Sequence, residues 1–130
     1  MEQRIPPTVH VVDDDEAVRD SLRILLESYG MNVRDYACAP DFLAANAQII
    51  EGCLLLDLHM PGMTGLELLE LLRKRGYHLP VVMITGRSDS VLREKALRAG
   101  AVTLLDKPVD DDLLLDSLNG ALAAAQSHAS

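Results

Sequence analysis

The chain has 130 residues, 48% of them hydrophobic and 25% charged, a composition that suits one globular domain and excludes a disordered segment. The net charge of −8 at pH 7 repels phosphate backbones, and one Phe, three Tyr and no Trp leave no stacking platform, so direct nucleic-acid binding is not expected. No apolar run approaches the roughly 18–20 residues of a membrane span. Residues 1–8 lack the basic and apolar regions of a signal peptide, so a cytoplasmic protein is expected. Cys38 and Cys53 stand far apart in no metal-ligand spacing and read as small core residues of a reducing compartment.

Along the chain, short apolar runs alternate with helical patterns. Thr8 to Val12 is β-branched and stopped by acids, which predicts a strand. Val18, Leu22, Leu25 and Tyr29 then share one face of a helix that begins at Glu16 and is closed by Gly30. Met31 to Tyr36 is a weaker strand, and a short helix follows Pro40, a residue suited to a first turn because it has no N–H to leave unpaired. The continuous run Cys53 to Asp57 suits a central parallel strand covered on both faces.

After the loop Pro61 to Gly65, Thr64 and Glu67 form the pattern of a capping box for a helix running to Arg75. Pro80 to Ile84 is a fourth strand, Ser88 or Asp89 caps the next helix, and Gly100 closes it. Ala101 to Leu105 is a fifth strand. Asp110, Asp111 and Asp112 open the last helix, where negative charge meets the positive end of the helix dipole. Leu114, Leu118 and Leu122 mark its buried stripe, and one of Leu113 to Leu115 must face outward. Residues 1–8 read as a lead, 9–125 as the domain, and 126–130 as a fraying tail or the start of a linker.

Five strands alternating with five helices imply a doubly wound parallel sheet with right-handed crossovers. Active groups in such sheets lie at the carboxyl ends of the strands. That rule selects Asp13 and Asp14, Asp57, Thr85 and Lys107. A carboxylate ending the most apolar strand is costly to bury unpaired. If the acids converge they repel, by about 4 kcal/mol for a pair 4 Å apart at an effective dielectric near 20. Such a cluster calls for a cation, and all-oxygen ligands select a hard one, best fitted by Mg²⁺, with Mn²⁺ as a substitute. With an ammonium from Lys107 and a hydroxyl from Thr85, the set suits a tetrahedral dianion on Asp57, and a carboxylate is a feasible nucleophile for phosphoryl transfer.

At this point the sequence resembles the receiver domain of bacterial two-component response regulators. The matching words are Val11-Val12-Asp13-Asp14-Asp15, Leu56-Asp57-Leu58-His59-Met60-Pro61-Gly62-Met63-Thr64-Gly65, Ile84-Thr85-Gly86, Ala99-Gly100-Ala101 and Asp106-Lys107-Pro108. The resemblance implies a flavodoxin-like (βα)5 fold with strand order 2-1-3-4-5. It implies that Asp57 is the phosphoacceptor and that Asp14, Asp57 and the backbone carbonyl of His59 bind Mg²⁺, with Asp13 acting indirectly. It implies that Thr85 and Lys107 contact the phosphoryl group and that the Lys107–Pro108 bond is cis. The implied phosphodonor is a sensor histidine kinase or a small molecule such as acetyl phosphate. The implied role is regulatory rather than enzymatic: the phosphoryl group biases a two-state equilibrium read on the surface of the fourth helix, fifth strand and fifth helix, a surface also suited to homodimer contacts.

One position departs from the family. Leu104 stands where an aromatic residue is usual, three residues before Lys107, which puts the usual aromatic read-out in question. His59 and Arg87 occupy the two positions that in this family influence the lifetime of the phosphate. An output domain or effector is expected outside these residues, and the chain leans toward regulators bearing a helix–turn–helix module. Two rival readings are weaker. A dehalogenase-type phosphatase needs a second Asp two residues after the nucleophile, where this chain has His59. A phosphorylation-independent binding module would not need the full set of acids and lysine. His10, His78 and His128 have no partners at ligand spacing and read as ordinary residues.

Overall fold

The alternation of apolar runs and capped amphipathic segments resolves, in a computed structural model describing residues 8–46, 50–87 and 89–129, into five strands and five helices. In chain order they are β1 (Thr8–Val12), α1 (Glu16–Ser28), β2 (Asn32–Tyr36), α2 (Ala39–Ala45), β3 (Cys53–Asp57), α3 (Gly65–Lys74), β4 (Val81–Thr85), α4 (Ser90–Arg98), β5 (Thr103–Asp106) and α5 (Asp111–Ala129). Every strand pairing is parallel and the order is β2-β1-β3-β4-β5, as expected.

The starts of α1, α3 and α4 are capped by local side chains. The Asp15 carboxylate accepts from the N–H groups of Ala17 and Val18, satisfying donors that the first turn of α1 cannot pair internally. Thr64 and Glu67 form the reciprocal capping box at α3. Of the two caps considered for α4, Asp89 fills the role; Ser88 lies outside the described residues.

The core has two halves because strand side chains alternate in direction. Leu54, Leu56 and Met83 point to one face, where Phe42 of α2, Leu68, Leu69 and Leu72 of α3 and Ala96 of α4 cover them. Leu55, Val82 and Ile84 point to the other, under Leu22 and Leu26 of α1 and Leu114, Leu118 and Leu122 of α5. Each fully buried leucine contributes roughly 1.5–3 kcal/mol relative to exposure. Leu113 is the outward member of its triplet, 52% exposed.

Several boundaries move, and one physical cause recurs. β2 starts at Asn32 rather than Met31, and β5 at Thr103 rather than Ala101. The N–H of Met31 bonds Leu26 O and that of Ala101 bonds Ala96 O, so the closing turns of α1 and α4 consume the donors that would have begun the ladder. Tyr29, expected on the buried stripe of the first helix, is instead its C-cap and is 59% exposed, while Leu26 is buried in its place. β4 runs Val81–Thr85, one residue later than expected, which makes Thr85 part of the strand. α5 continues to Ala129, through residues whose composition favoured a tail. Cys53 is buried, and burial pushes its thiol up to about 12. Cys38 is half-buried at the start of α2 rather than in the core.

Candidate functional site

β1 and β3 pair in register from Val9–Cys53 to Val12–Leu56, so the residues that follow, Asp13 and Asp57, leave the sheet side by side. Both are buried, at 0% and 3% exposure. Lys107 leaves β5 beyond β4. Its N–H bonds Thr85 O at 2.8 Å, which ties the start of the β5–α5 loop to the end of β4. From there Nζ reaches Asp13 Oδ2 at 3.0 Å and Asp57 Oδ2 at 3.4 Å. Asp14 is exposed, and one carboxylate oxygen from each of Asp13, Asp14 and Asp57 lies within 4.8 Å of the others. The Lys107–Pro108 peptide is cis.

Glycine permits the close packing behind Asp57. A Cβ at Gly65 would collide with the Asp57 carbonyl oxygen, and only its absence lets α3 begin against the end of β3, where Gly65 N bonds Leu58 O at 3.0 Å. The His59 N–H donates to Asp57 Oδ1 at 3.2 Å. Asp57, His59, Met60, Pro61, Thr64, Gly86, Arg87 and Lys107 line an open cleft of about 520 Å³ over this edge.

The electrostatics are unbalanced. Burial, then the charge of Asp13, push the Asp57 carboxyl up to about 6, against the opposing pull of Lys107 and the His59 N–H. Burial opposes the charge on Lys107, yet its hydrogen bond to Asp13 and the nearby Asp57 hold it above the usual lysine value. Three carboxylates and one ammonium leave a net negative pocket. Oxygen-only donors this close fit a hard divalent cation.

The other expected site residues are placed as follows. Thr85 is fully buried, but its hydroxyl donates to Arg87 O at 2.8 Å and accepts from Arg87 N at 3.1 Å, so it is turned into its own loop rather than toward Asp57. Arg87 and His59 both border the cleft and are exposed. Leu104 is 4% exposed and packs inward with Met83, Ala96 and Ala101. Asp13 stands inside the cluster and bonds Lys107 directly.

Sequence reasoning missed Arg19, whose Nη1 donates to Asp13 O at 2.7 Å. A basic residue in the second turn of a helix capped by the acidic motif was the available signal. His10, read as an ordinary residue, has polar partners from distant segments. It is buried, with Nε2 2.9 Å from Glu51 O, Nδ1 3.3 Å from the Tyr36 hydroxyl, and its ring against Phe42.

A parallel α/β sheet here carries an acidic cluster and a lysine at its carboxyl edge, where such sheets place their functional groups. The family described as the response regulator receiver domain matches residues 9–119. The transcriptional regulatory protein FixJ of Azorhizobium caulinodans is 44% identical over 114 residues, covering 88% of this chain and 54% of that protein. The response regulator StyR superposes with a TM-score of 0.89 at 41% identity, covering 95% of this chain and 63% of that one. The crystal structure of FixJ-N superposes with a TM-score of 0.85 at 37% identity, covering 92% of this chain and 96% of that one. The chain belongs to the response regulator receiver family and is a receiver domain of the two-component type. Such domains are regulatory. The chain spans about half the length of the curated relatives FixJ and TdiR, 54% and 51%. Among the described residues, no helix is long and apolar enough to cross a membrane.

Proposed function

We propose that this domain accepts a phosphoryl group on Asp57 from the phosphohistidine of a sensor kinase, in a reaction that depends on Mg²⁺. The reading rests on one observation: the buried Asp57 carboxylate shares its pocket with Asp13 and Asp14 within 4.8 Å and with Lys107 Nζ at 3.4 Å. Asp14, Asp57 and the His59 carbonyl would hold the ion, with Asp13 beside it. A bound divalent ion would supply positive charge that offsets the Asp57 carboxylate and the incoming phosphoryl group.

In the transfer, an Asp57 oxygen attacks phosphorus as the donor P–N bond breaks. The electron pair goes to the imidazole nitrogen, which takes a proton from solvent. Lys107, already held by Asp13, needs little rearrangement to neutralise charge on the transferred group. Thr85 must exchange its bond to Arg87 O for one to a phosphoryl oxygen, because a hydroxyl has a single proton to donate. That exchange releases the Arg87 carbonyl, whose loop leads through Asp89 into α4. Hydrolysis returns the carboxylate when water attacks phosphorus and the O–P bond breaks, and the exposed His59 and Arg87 at the cleft mouth govern how readily water enters.

The output surface comprises α4, β5 and α5, and it would also carry homodimer contacts. Val91 on α4, Val102 just before β5 and Leu113 on α5 are exposed apolar residues there. Arg93 ties α4 to β5 through Leu104 O at 3.0 Å and Asp106 Oδ2 at 3.4 Å. With Leu104 already inward, the read-out works through this α4–β5 contact instead of an aromatic side chain. The curated relatives are transcriptional regulators by name, which supports control of transcription through an output module.

Incubation with Mg²⁺ and an acyl phosphate tests the assignment. Wild type gains one base-labile phosphoryl group, and none when EDTA is present from the start; Asp57→Asn gains none. Equal labelling of both proteins would overturn it.

A further inference from the structure

The acidic loop is held from a direction the family comparison does not reveal. Asp13 has every polar group engaged. Its N–H donates to Tyr36 O at 3.2 Å, Oδ1 accepts from Asp15 N at 2.9 Å and Oδ2 accepts from Lys107 at 3.0 Å. Its carbonyl accepts from Arg19 Nη1 at 2.7 Å, the shortest of the four. The Arg19 side chain is only 15% exposed, and its Nε lies 3.4 Å from Asp35 Oδ2 on β2. Asp35 is itself shared with Arg23, at 3.1 Å. A guanidinium fixed at one end by a carboxylate and donating from the other to a carbonyl has little freedom left.

The consequence falls on Asp14. The Asp13 carbonyl and the Asp14 N–H belong to one planar peptide unit, so fixing the carbonyl fixes the plane from which Asp14 departs. Asp14 is the exposed member of the carboxylate cluster, and among the described residues its own carboxylate takes part in no hydrogen bond or ion pair. Its aim therefore depends on the backbone that carries it. Arg19 also sets a positive charge against the backbone of a pocket with surplus negative charge.

We propose that Arg19, braced by Asp35, is a positioning residue for the divalent cation: it holds the Asp13–Asp14 peptide so that Asp14 meets Asp57 at ligand spacing. The proposal rests on the reading of Asp13, Asp14 and Asp57 as the cation site. Partners that orient metal ligands change affinity 10–100-fold when removed, so an effect of about tenfold is expected.

The test is titration calorimetry with Mg²⁺ on the full chain, repeated with Mn²⁺ by electron paramagnetic resonance. The proteins are wild type, Arg19→Met, Arg19→Lys and Asp57→Asn. Arg19→Met keeps the apolar stem and loses the donors; it should bind about tenfold more weakly while melting cooperatively. Arg19→Lys keeps a charge and a donor for the Asp13 carbonyl and should recover most of the loss, a rescue that a packing role would not produce. Wild-type affinity in folded Arg19→Met overturns the proposal, as does an equal loss in the Met and Lys variants. If Arg19→Met does not fold, Arg19→Gln, too short to span Asp13 and Asp35 together, carries the same test with the same expected loss, and wild-type affinity there overturns it too. Failure of wild type to bind either ion, or equal binding by Asp57→Asn, would instead remove the cation site itself.

Discussion

His10 and Asp13 sit on one short stretch of chain, both buried, and they are satisfied in opposite ways. The His10 cluster closes on itself. A carbonyl can only accept, so Nε2 carries the proton toward Glu51 O; Nδ1 then accepts from the Tyr36 hydroxyl, which in turn accepts from Asn46 Nδ2 at 3.2 Å. The group is neutral and complete. The Asp13 cluster satisfies each hydrogen bond yet leaves its charges unmatched, with Asp57 pushed up to about 6 as the symptom. Burial of polar groups is thus no mark of function by itself. Uncompensated charge is, because it stores a demand that a cation or a phosphoryl group can meet.

The largest effect expected in the closed cluster comes from Phe42→Ala. Phe42 is fully buried against the rings of His10 and Tyr36, so its loss should cost about 4 kcal/mol in urea unfolding. Its response to Mg²⁺ should match that of wild type. In the open cluster, Lys107→Ala leaves the buried Asp13 and Asp57 facing each other without a counter-charge, a loss of about 3 kcal/mol. Added Mg²⁺ should stabilise this variant more than wild type, because the ion takes over the missing charge. Equal Mg²⁺ increments in both variants would erase the distinction between the clusters.

A smaller effect of opposite sign follows from Asp57→Asn. The folded carboxyl, at about 6, lies above its ordinary 3.8, so in metal-free protein ionisation penalises the fold increasingly as pH rises across that interval. Removing the charge should raise metal-free stability at pH 7, by on the order of 2 kcal/mol. The smallest effect belongs to His10. Burial holds its pKa below the ordinary 6.5, with the Glu51 carbonyl pulling it up and Arg34 down. The unfolded chain then binds the proton first, so stability falls as pH drops through 6.5, by at most about 1.4 kcal/mol per pH unit. Metal-free melts from pH 7 to 5 should therefore slope one way in Asp57→Asn, where His10 acts alone, and the other way in His10→Gln, where Asp57 does. Parallel slopes would show that the two sites are not electrostatically distinct.

Much of the fold is legible from pattern. Strand runs, caps such as Thr64 and Glu67, and the closing glycines are local signals, and local chemistry decides them. Alternation and the handedness of crossovers give a doubly wound parallel sheet. Its order is what the resemblance to the receiver family implies, and β2-β1-β3-β4-β5 is the order found. The charged side chains that converge are legible as well, because strand ends in a parallel sheet must lie on one edge.

The amino-acid sequence by itself determined the fold class and which acids and lysine reach the carboxyl edge, since periodicity, capping and parallel pairing leave few alternatives. Only the tertiary structure decided where individual side chains point: Thr85 into its own loop, Leu104 inward, His10 into a neutral cluster, Tyr29 outward, and Arg19 onto the Asp13 carbonyl. Those directions depend on partners from distant elements, and a side chain's hydrogen bonds are chosen among neighbours that exist only once the sheet has assembled.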